Sequence, residues 1–251
     1  MTNLKHISLE KAHNLRDLGG YPTADGRMTK WGVLYRSDSL AVLTEQDWAV
    51  LQKRNVKTVI DLRSSGEAAS APIRTPDGVE CLHFSLMKEL DGNVQSASME
   101  TILQSMKLDY VKTLYGNPSC ASEIMNTINE RVENGAIVFL CSAGKDRTGI
   151  IAALSLYLCG VAREDIIADY IVSATYNADG INKMLAAIPE AYLKMIPDMQ
   201  MLKDCFASKP ETIATLLDAF KENEIEELLH QNGFTASAQA DFTRKFTESV
   251  E

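Results

Sequence analysis

Residues 136–149 read Ala-Ile-Val-Phe-Leu-Cys-Ser-Ala-Gly-Lys-Asp-Arg-Thr-Gly, and no other stretch restricts the fold so tightly. Ala136 to Leu140 is an unbroken apolar run of strand length. It leads without a spacer into a loop that opens at Cys141 and closes at Arg147. Thr148 through Leu158 then reads as a buried helix that stops near Gly160, a residue type suited to the position just past a helix end. Strand, tight loop and buried helix in direct succession form a basic unit of α/β proteins.

The loop has the makeup of an anion cradle. Five residues separate Cys141 from Arg147, and the small pair Ala143 and Gly144 allows a tight curl with backbone N–H groups turned inward. The dipole of the following helix faces the same point. A free cysteine has a pKa near 8.5, and helix N-termini or cationic neighbours lower such values by roughly one to five units. A thiolate here could attack phosphorus and split one hard displacement into two easier ones. Arg147 offers a planar fork for two phosphoryl oxygens, and Thr148 could donate its hydroxyl to the sulfur. The competing structural reading is a buried cysteine in a turn, with Lys145, Asp146 and Arg147 as a solvated charge cluster. A nucleotide-binding loop is excluded, because Gly144-Lys145 is followed by Asp and no Gly lies five residues before Gly144.

The chain has 251 residues and a net charge of −9, which argues against broad attraction to nucleic acid or anionic membranes. Met1 to His6 carries no apolar signal region, and no run approaches a membrane span. A cytoplasmic protein, or one exported without such a signal, is the expectation. The five cysteines are scattered, no Cys-x-x-Cys occurs, and the four histidines lack ligand spacing, so neither a metal site nor a cofactor is indicated. Nothing in the sequence sets an oligomeric state.

Along the chain, 1–30 reads as irregular and 32–36 as a short strand. Thr44 caps a helix reaching about Lys53, and strands follow at Val56–Leu62 and Val79–Phe84. Ser64-Ser65-Gly66-Glu67 breaks the first of these strands. Helices are expected from about Met99 to Tyr115, from Ser119 to Val132 and from Glu164 to Val172, and two more in 210–249 split at Gly233. The Met-rich segment 178–209 is either a flexible lid surface or core filler, and periodicity does not separate the two.

Four motifs occur in order: Asn14-Leu15-Arg16-Asp17-Leu18-Gly19-Gly20, Tyr35-Arg36-Ser37-Asp38, Ile60-Asp61-Leu62-Arg63-Ser64, and Cys141 through Gly149. With Asp169-Tyr170-Ile171-Val172-Ser173, the chain resembles the bacterial atypical tyrosine phosphatases, a family with dual protein and phosphoinositide activity. The resemblance runs from about residue 8 to the C-terminal helices. It implies a phosphotyrosine protein phosphatase-like α/β fold, with a mostly parallel central sheet flanked by helices. One such domain would span 1–251, with helical lid insertions at 85–118 and 176–209. Cys141 would be the nucleophile and Arg147 the transition-state clamp, with Ser142, Ala143, Gly144, Lys145, Asp146 and Thr148 completing the phosphate site. Lys145 could contact a phosphate or an inositol ring. The substrate would be a phosphorylated protein or a phosphoinositide.

The resemblance offers three carboxylates as general acid: Asp146 first, Asp61 at a strand end second, and Asp91 third. Asp61 could instead pair structurally with Arg63 or Arg16. Asn14, Arg16, Asp17, Arg36 and Asp38 are expected to brace the loop. Such phosphatases usually carry His before the nucleophile, where this chain has Leu140. A phospho-binding module without turnover is therefore one competing reading, and sulfur transfer or arsenate reduction is another.

Overall fold

Five strands build one sheet: β1 (Arg16–Asp17), β3 (Leu34–Ser37), β4 (Val56–Asp61), β5 (Glu80–His83) and β6 (Ala136–Leu140). They lie in the order β1-β3-β6-β4-β5. The coordinates are those of a computed structural model, which describes residues 4–87, 108–186, 188–189 and 199–250. Strands β3, β6, β4 and β5 run parallel, and β1 closes one edge antiparallel to β3. The mostly parallel sheet expected from the sequence is the observed one. A second, two-stranded sheet pairs β2 (Arg27–Thr29) with β7 (Thr247–Ser249).

β6 is buried along its whole length because helices cover both faces of the sheet. Alternation sends Ile137 and Phe139 into a core with Ile150, Ile151 and Leu154 of α5 (Asp146–Leu158) and with Ile124 and Ile128 of α4 (Pro118–Arg131). Val138 and Leu140 face the other way, towards Trp48 and Leu51 of α1 (Glu45–Lys53). Thr44 caps α1 through a reciprocal pair of hydrogen bonds with Asp47. Leu140, where a His was expected, thus fills the core beneath α1.

Among the described residues the remaining α-helices are α2 (Ser65–Ser70), α3 (Tyr110–Tyr115), α6 (Arg163–Tyr176), α7 (Ala178–Ala186), α8 (Met199–Phe206), α9 (Pro210–Glu222), α10 (Ile225–Gln231) and α11 (Ala236–Phe246). The tail differs from expectation. The expected break at Gly233, φ 102°, separates α10 from α11, but a further one at Glu224, whose φ of 47° is left-handed, divides α9 from α10, and the short strand β7 follows α11. Helix α3 covers only the end of the helix expected over 99–115, whose first part lies outside the described residues. α7 and α8 share a small apolar cluster of their own, with Leu185, Ile188, Leu202 and Cys205. The side chains of Met184, Met195, Met199 and Met201 lie outside the described part, whereas Met125 is plain core filler.

The parallel strands all end on the same rim, where Ser37, Asp61, His83 and Leu140 are in register. Loops at that rim take residues from several strands at once. Phe139, fully buried in the central strand, gives a direct test of this scaffold. Phe139→Ala is expected to cost about 3–5 kcal/mol, read as a lower urea midpoint at unchanged slope. A loss under about 1 kcal/mol would mean the core is not organised around β6.

Candidate active site

Cys141 follows β6 directly and is 1% exposed, at the floor of the loop 141–147. The loop's shape is fixed by what its carbonyls do. Ser142 O accepts from the Ser39 N–H at 3.1 Å. Ala143 O accepts from the side-chain amides of Asn14 at 3.0 Å and Asn177 at 2.8 Å. Gly144 O accepts from Asn14 at 3.1 Å and from the Arg36 guanidinium at 2.8 Å. In a planar trans peptide the N–H points opposite to the C=O. Turning three consecutive carbonyls outward therefore turns the following amides, of Ala143, Gly144 and Lys145, towards the interior of the loop. Gly144 is required at its place. Its φ is +63°, and a Cβ there would lie 2.4 Å from Ser37 O.

Helix α5 begins inside this curl without a side-chain cap. Its first-turn N–H groups are thus open to an anion. The Thr148 hydroxyl is buried in that first turn and hydrogen-bonds to no described residue, including the Cys141 sulfur.

Arg147 closes the loop. Both its terminal nitrogens are held by the Glu67 carboxylate of α2, NH2 to Oε1 at 3.0 Å, leaving its remaining N–H groups for an anion. Ser142 Oγ also donates to Glu67, and Ser64 N–H at 2.9 Å completes the grip. Hydrogen bonds from Arg147 hold the Glu67 carboxyl well below its usual range. Burial acts to lower the Arg147 pKa, but Glu67 outweighs it and the guanidinium stays charged.

Beneath the loop lies a buried charge cluster. Asp169 of α6 accepts from Arg16 Nε at 2.9 Å, from Arg36 and from the Tyr21 hydroxyl at 3.1 Å. Arg16 also donates to the Asn14 side chain, and to Ser173 Oγ at 2.9 Å. Two guanidiniums against one carboxylate leave net positive charge under the cradle. Burial acts to raise the Asp169 pKa, yet Arg16 and Arg36 overcome it and hold the group low. Burial depresses Arg36, whose Nε is unpartnered among the described residues.

The expected bracing residues divide into three groups. Asn14 and Arg36 touch the loop itself. Arg16 and Asp38 act one step away, Asp38 by accepting from the His13 and Asn14 N–H groups at 3.0 Å. Asp17 instead accepts from Gly19 and Gly32 N–H at 2.8 Å and fixes a turn away from the loop.

The three candidate carboxylates differ in position. Asp61 forms a bidentate pair with Arg63, both 3–4% exposed, with Oδ2 to NH2 at 2.7 Å. This is the structural pairing weighed as its alternative, and it leaves Asp61 committed elsewhere. Asp91 lies outside the described residues. Asp146 opens on a cavity of about 160 Å³ beside the loop, where its Oδ1 accepts from the Tyr110 hydroxyl at 2.7 Å. Lys145 is turned away from the cradle. Its ammonium donates to Cys205 O at 2.7 Å and Ala207 O at 3.2 Å, at the end of α8. Among the described residues no group of His, Cys, Asp and Glu could hold a metal ion, and no helix is long and apolar enough to cross a membrane.

Sequence reasoning missed Glu67, Asn177 and Tyr110. The Ser64-x-x-Glu67 pattern does carry a signal, that of a helix cap, but not of the arginine it meets. Asn177 and Tyr110 had none.

Residues 7–248 match the model of the tyrosine phosphatase family. A triple-specificity protein phosphatase of Mycobacterium tuberculosis is 30% identical over 214 residues, covering 72% of this chain and 72% of that protein. A Cupriavidus necator protein provisionally named a tyrosine-protein phosphatase is 32% identical over 68% of this chain. A tyrosine-protein phosphatase of Nostoc commune is 35% identical over 56% of this chain. The chain spans 64% and 48% of the lengths of the last two. Among solved structures, TpbA of P. aeruginosa with phosphotyrosine covers 68% of this chain and 97% of its own, at 15% identity and a TM-score of 0.36.

The Asp169 cluster makes a stability prediction. Asp169→Asn leaves two buried guanidiniums without their carboxylate and is expected to cost about 3–5 kcal/mol at pH 7. Because the folded-state pKa is depressed, the native contribution is full above the unfolded value of about 3.9 and fades as pH falls below it. Urea melts of both proteins should therefore converge at acidic pH. A gap that is constant from pH 7 to pH 3 would contradict this assignment.

Proposed function

Because the chain belongs to the tyrosine phosphatase family, we propose that it is a cysteine-dependent phosphomonoester hydrolase acting first on phosphotyrosine in proteins. The observation that carries this reading is the outward pinning of the Ser142, Ala143 and Gly144 carbonyls above Cys141. A loop so pinned presents N–H groups to an oxyanion before any substrate arrives, and such preorganisation is worth most in a water-poor site.

In the proposed reaction the Cys141 thiolate attacks phosphorus and the P–O bond to the leaving group breaks. The three equatorial oxygens lie against the loop amides and the free edge of Arg147, which Glu67 holds in place. Asp146 gives its proton to the departing oxygen, forming free alcohol or phenol and a thiophosphate on Cys141. Water then attacks that phosphorus, giving its proton to the Asp146 carboxylate, and the sulfur leaves as thiolate. The Thr148 hydroxyl, unpartnered among the described residues, is the donor proposed for that sulfur. Catalysis by positioning and charge suits a loose phosphoryl transition state.

The burial of Cys141, 1% exposed, favours a long aryl phosphate over phosphoserine or phosphothreonine. The Lys145 ammonium is already spent on two carbonyls, so phosphoinositides rank below phosphotyrosine. Leu140 faces the α1 core and takes no phosphate-contacting group from the cradle, so turnover is retained.

Turnover of p-nitrophenyl phosphate should vanish in Cys141→Ser and fall about 10³- to 10⁵-fold in Arg147→Ala. A phosphotyrosine peptide should exceed its phosphoserine counterpart and a phosphoinositide in kcat/KM. Wild-type rates in Cys141→Ser would overturn the mechanism. Phosphopeptide binding without phosphate release would establish the binding module instead.

A further inference from the structure

We propose that Tyr110 is a positioning residue that selects which oxygen of Asp146 carries the catalytic proton, an inference that rests on Asp146 being the acid. Among the described residues two cationic or donor groups act on Asp146, and both act on Oδ1: the Tyr110 hydroxyl donates to it at 2.7 Å, and the Lys145 ammonium forms an ion pair with it at 3.3 Å. A proton on Oδ1 would oppose both donors. A proton on Oδ2 opposes neither.

Tyr110 has one hydroxyl hydrogen and gives it to Asp146. Its 2.7 Å contact with the Tyr170 hydroxyl must therefore be donated by Tyr170. The result is a directed chain, Tyr170 to Tyr110 to Asp146, in which each link polarises the next. The two rings meet edge to face, with centroids 6.0 Å apart. Tyr170 is seated against Gly149 of α5, where a Cβ would come 3.1 Å from its ring. Burial pushes both phenols up, so both remain donors at working pH. Among the described residues, the other charged groups around Asp146 are its chain neighbours Lys145 and Arg147, and Asp204 and Lys209, which line the same cavity.

In the transfer, the Oδ2–H bond breaks as the P–O bond to the leaving group breaks. The proton passes to the leaving oxygen, the O–H electron pair stays on the carboxylate, and Tyr110 stabilises the carboxylate formed. The same contact would orient Asp146 as it takes a proton from water in the second step.

The test compares kcat/KM against pH for phenyl phosphate, a poor leaving group, and p-nitrophenyl phosphate, a good one. Tyr110→Phe should lower the phenyl phosphate value about 10- to 100-fold. The p-nitrophenyl value should fall less, and the alkaline limb should move to higher pH. Tyr170→Phe should act in the same direction, more weakly. On an Asp146→Asn background Tyr110→Phe should cost nothing further, because the two act as one unit. Equal losses on both substrates, an unmoved limb or full additivity would reduce Tyr110 to a packing residue. If Asp146→Asn shows the losses of an acid while Tyr110→Phe matches wild type, this proposal alone falls. If Asp146→Asn keeps the alkaline limb, the acid assignment falls and takes this proposal with it.

Discussion

Three carbonyl groups, those of Ser142, Ala143 and Gly144, are held facing outward by four donor residues from three separate parts of the chain. Peptide planarity converts that restraint into inward N–H groups. The rest of the site follows from it. The parallel strands bring Ser39, Arg63 and Cys141 to one rim. α6 carries Asp169 and Ser173 beneath the loop and ends next to Asn177. The N-terminal segment, fixed by Asp38, delivers Asn14.

This arrangement concentrates positive charge in the interior. Arg16 and Arg36 share one carboxylate, and the Arg36 Nε is unpaired among the described residues. Burying cations in this way weakens the folded state unless their hydrogen bonds are met. The imbalance is useful only if a negative group comes to lie above them. Glu67 plays the opposite part at the rim, where it steadies Arg147 and draws Ser142 towards the same carboxylate. One charge cluster sets the field from below, and the other sets geometry from the side.

The elements around the site were legible wherever local chemistry decides structure. Thr44 announced α1, the apolar run announced β6, and Cys141 to Gly149 announced the turn into α5. Strand β7 was not legible, because three residues carry no period and its partner β2 lies more than 200 residues away along the chain. The split between α9 and α10 depends on one left-handed residue that is not glycine. Within the site, Asn14 and Arg36 emerged through the family motifs. Glu67, Asn177 and Tyr110 act on partners far along the chain, and no local pattern records such contacts. Asp61 shows the converse: its place at a strand end suggested chemistry, while its neighbour Arg63 had already claimed it.

The central claim is that this cradle holds a phosphoryl group on one sulfur. Rapid acid quench during turnover of a phosphotyrosine peptide, followed by ³¹P spectroscopy and peptide mapping, tests it most directly. The account predicts an S-phosphorylated cysteine in the peptide that contains Cys141. Phosphate on another residue, or steady turnover with Cys141 never modified, would contradict it.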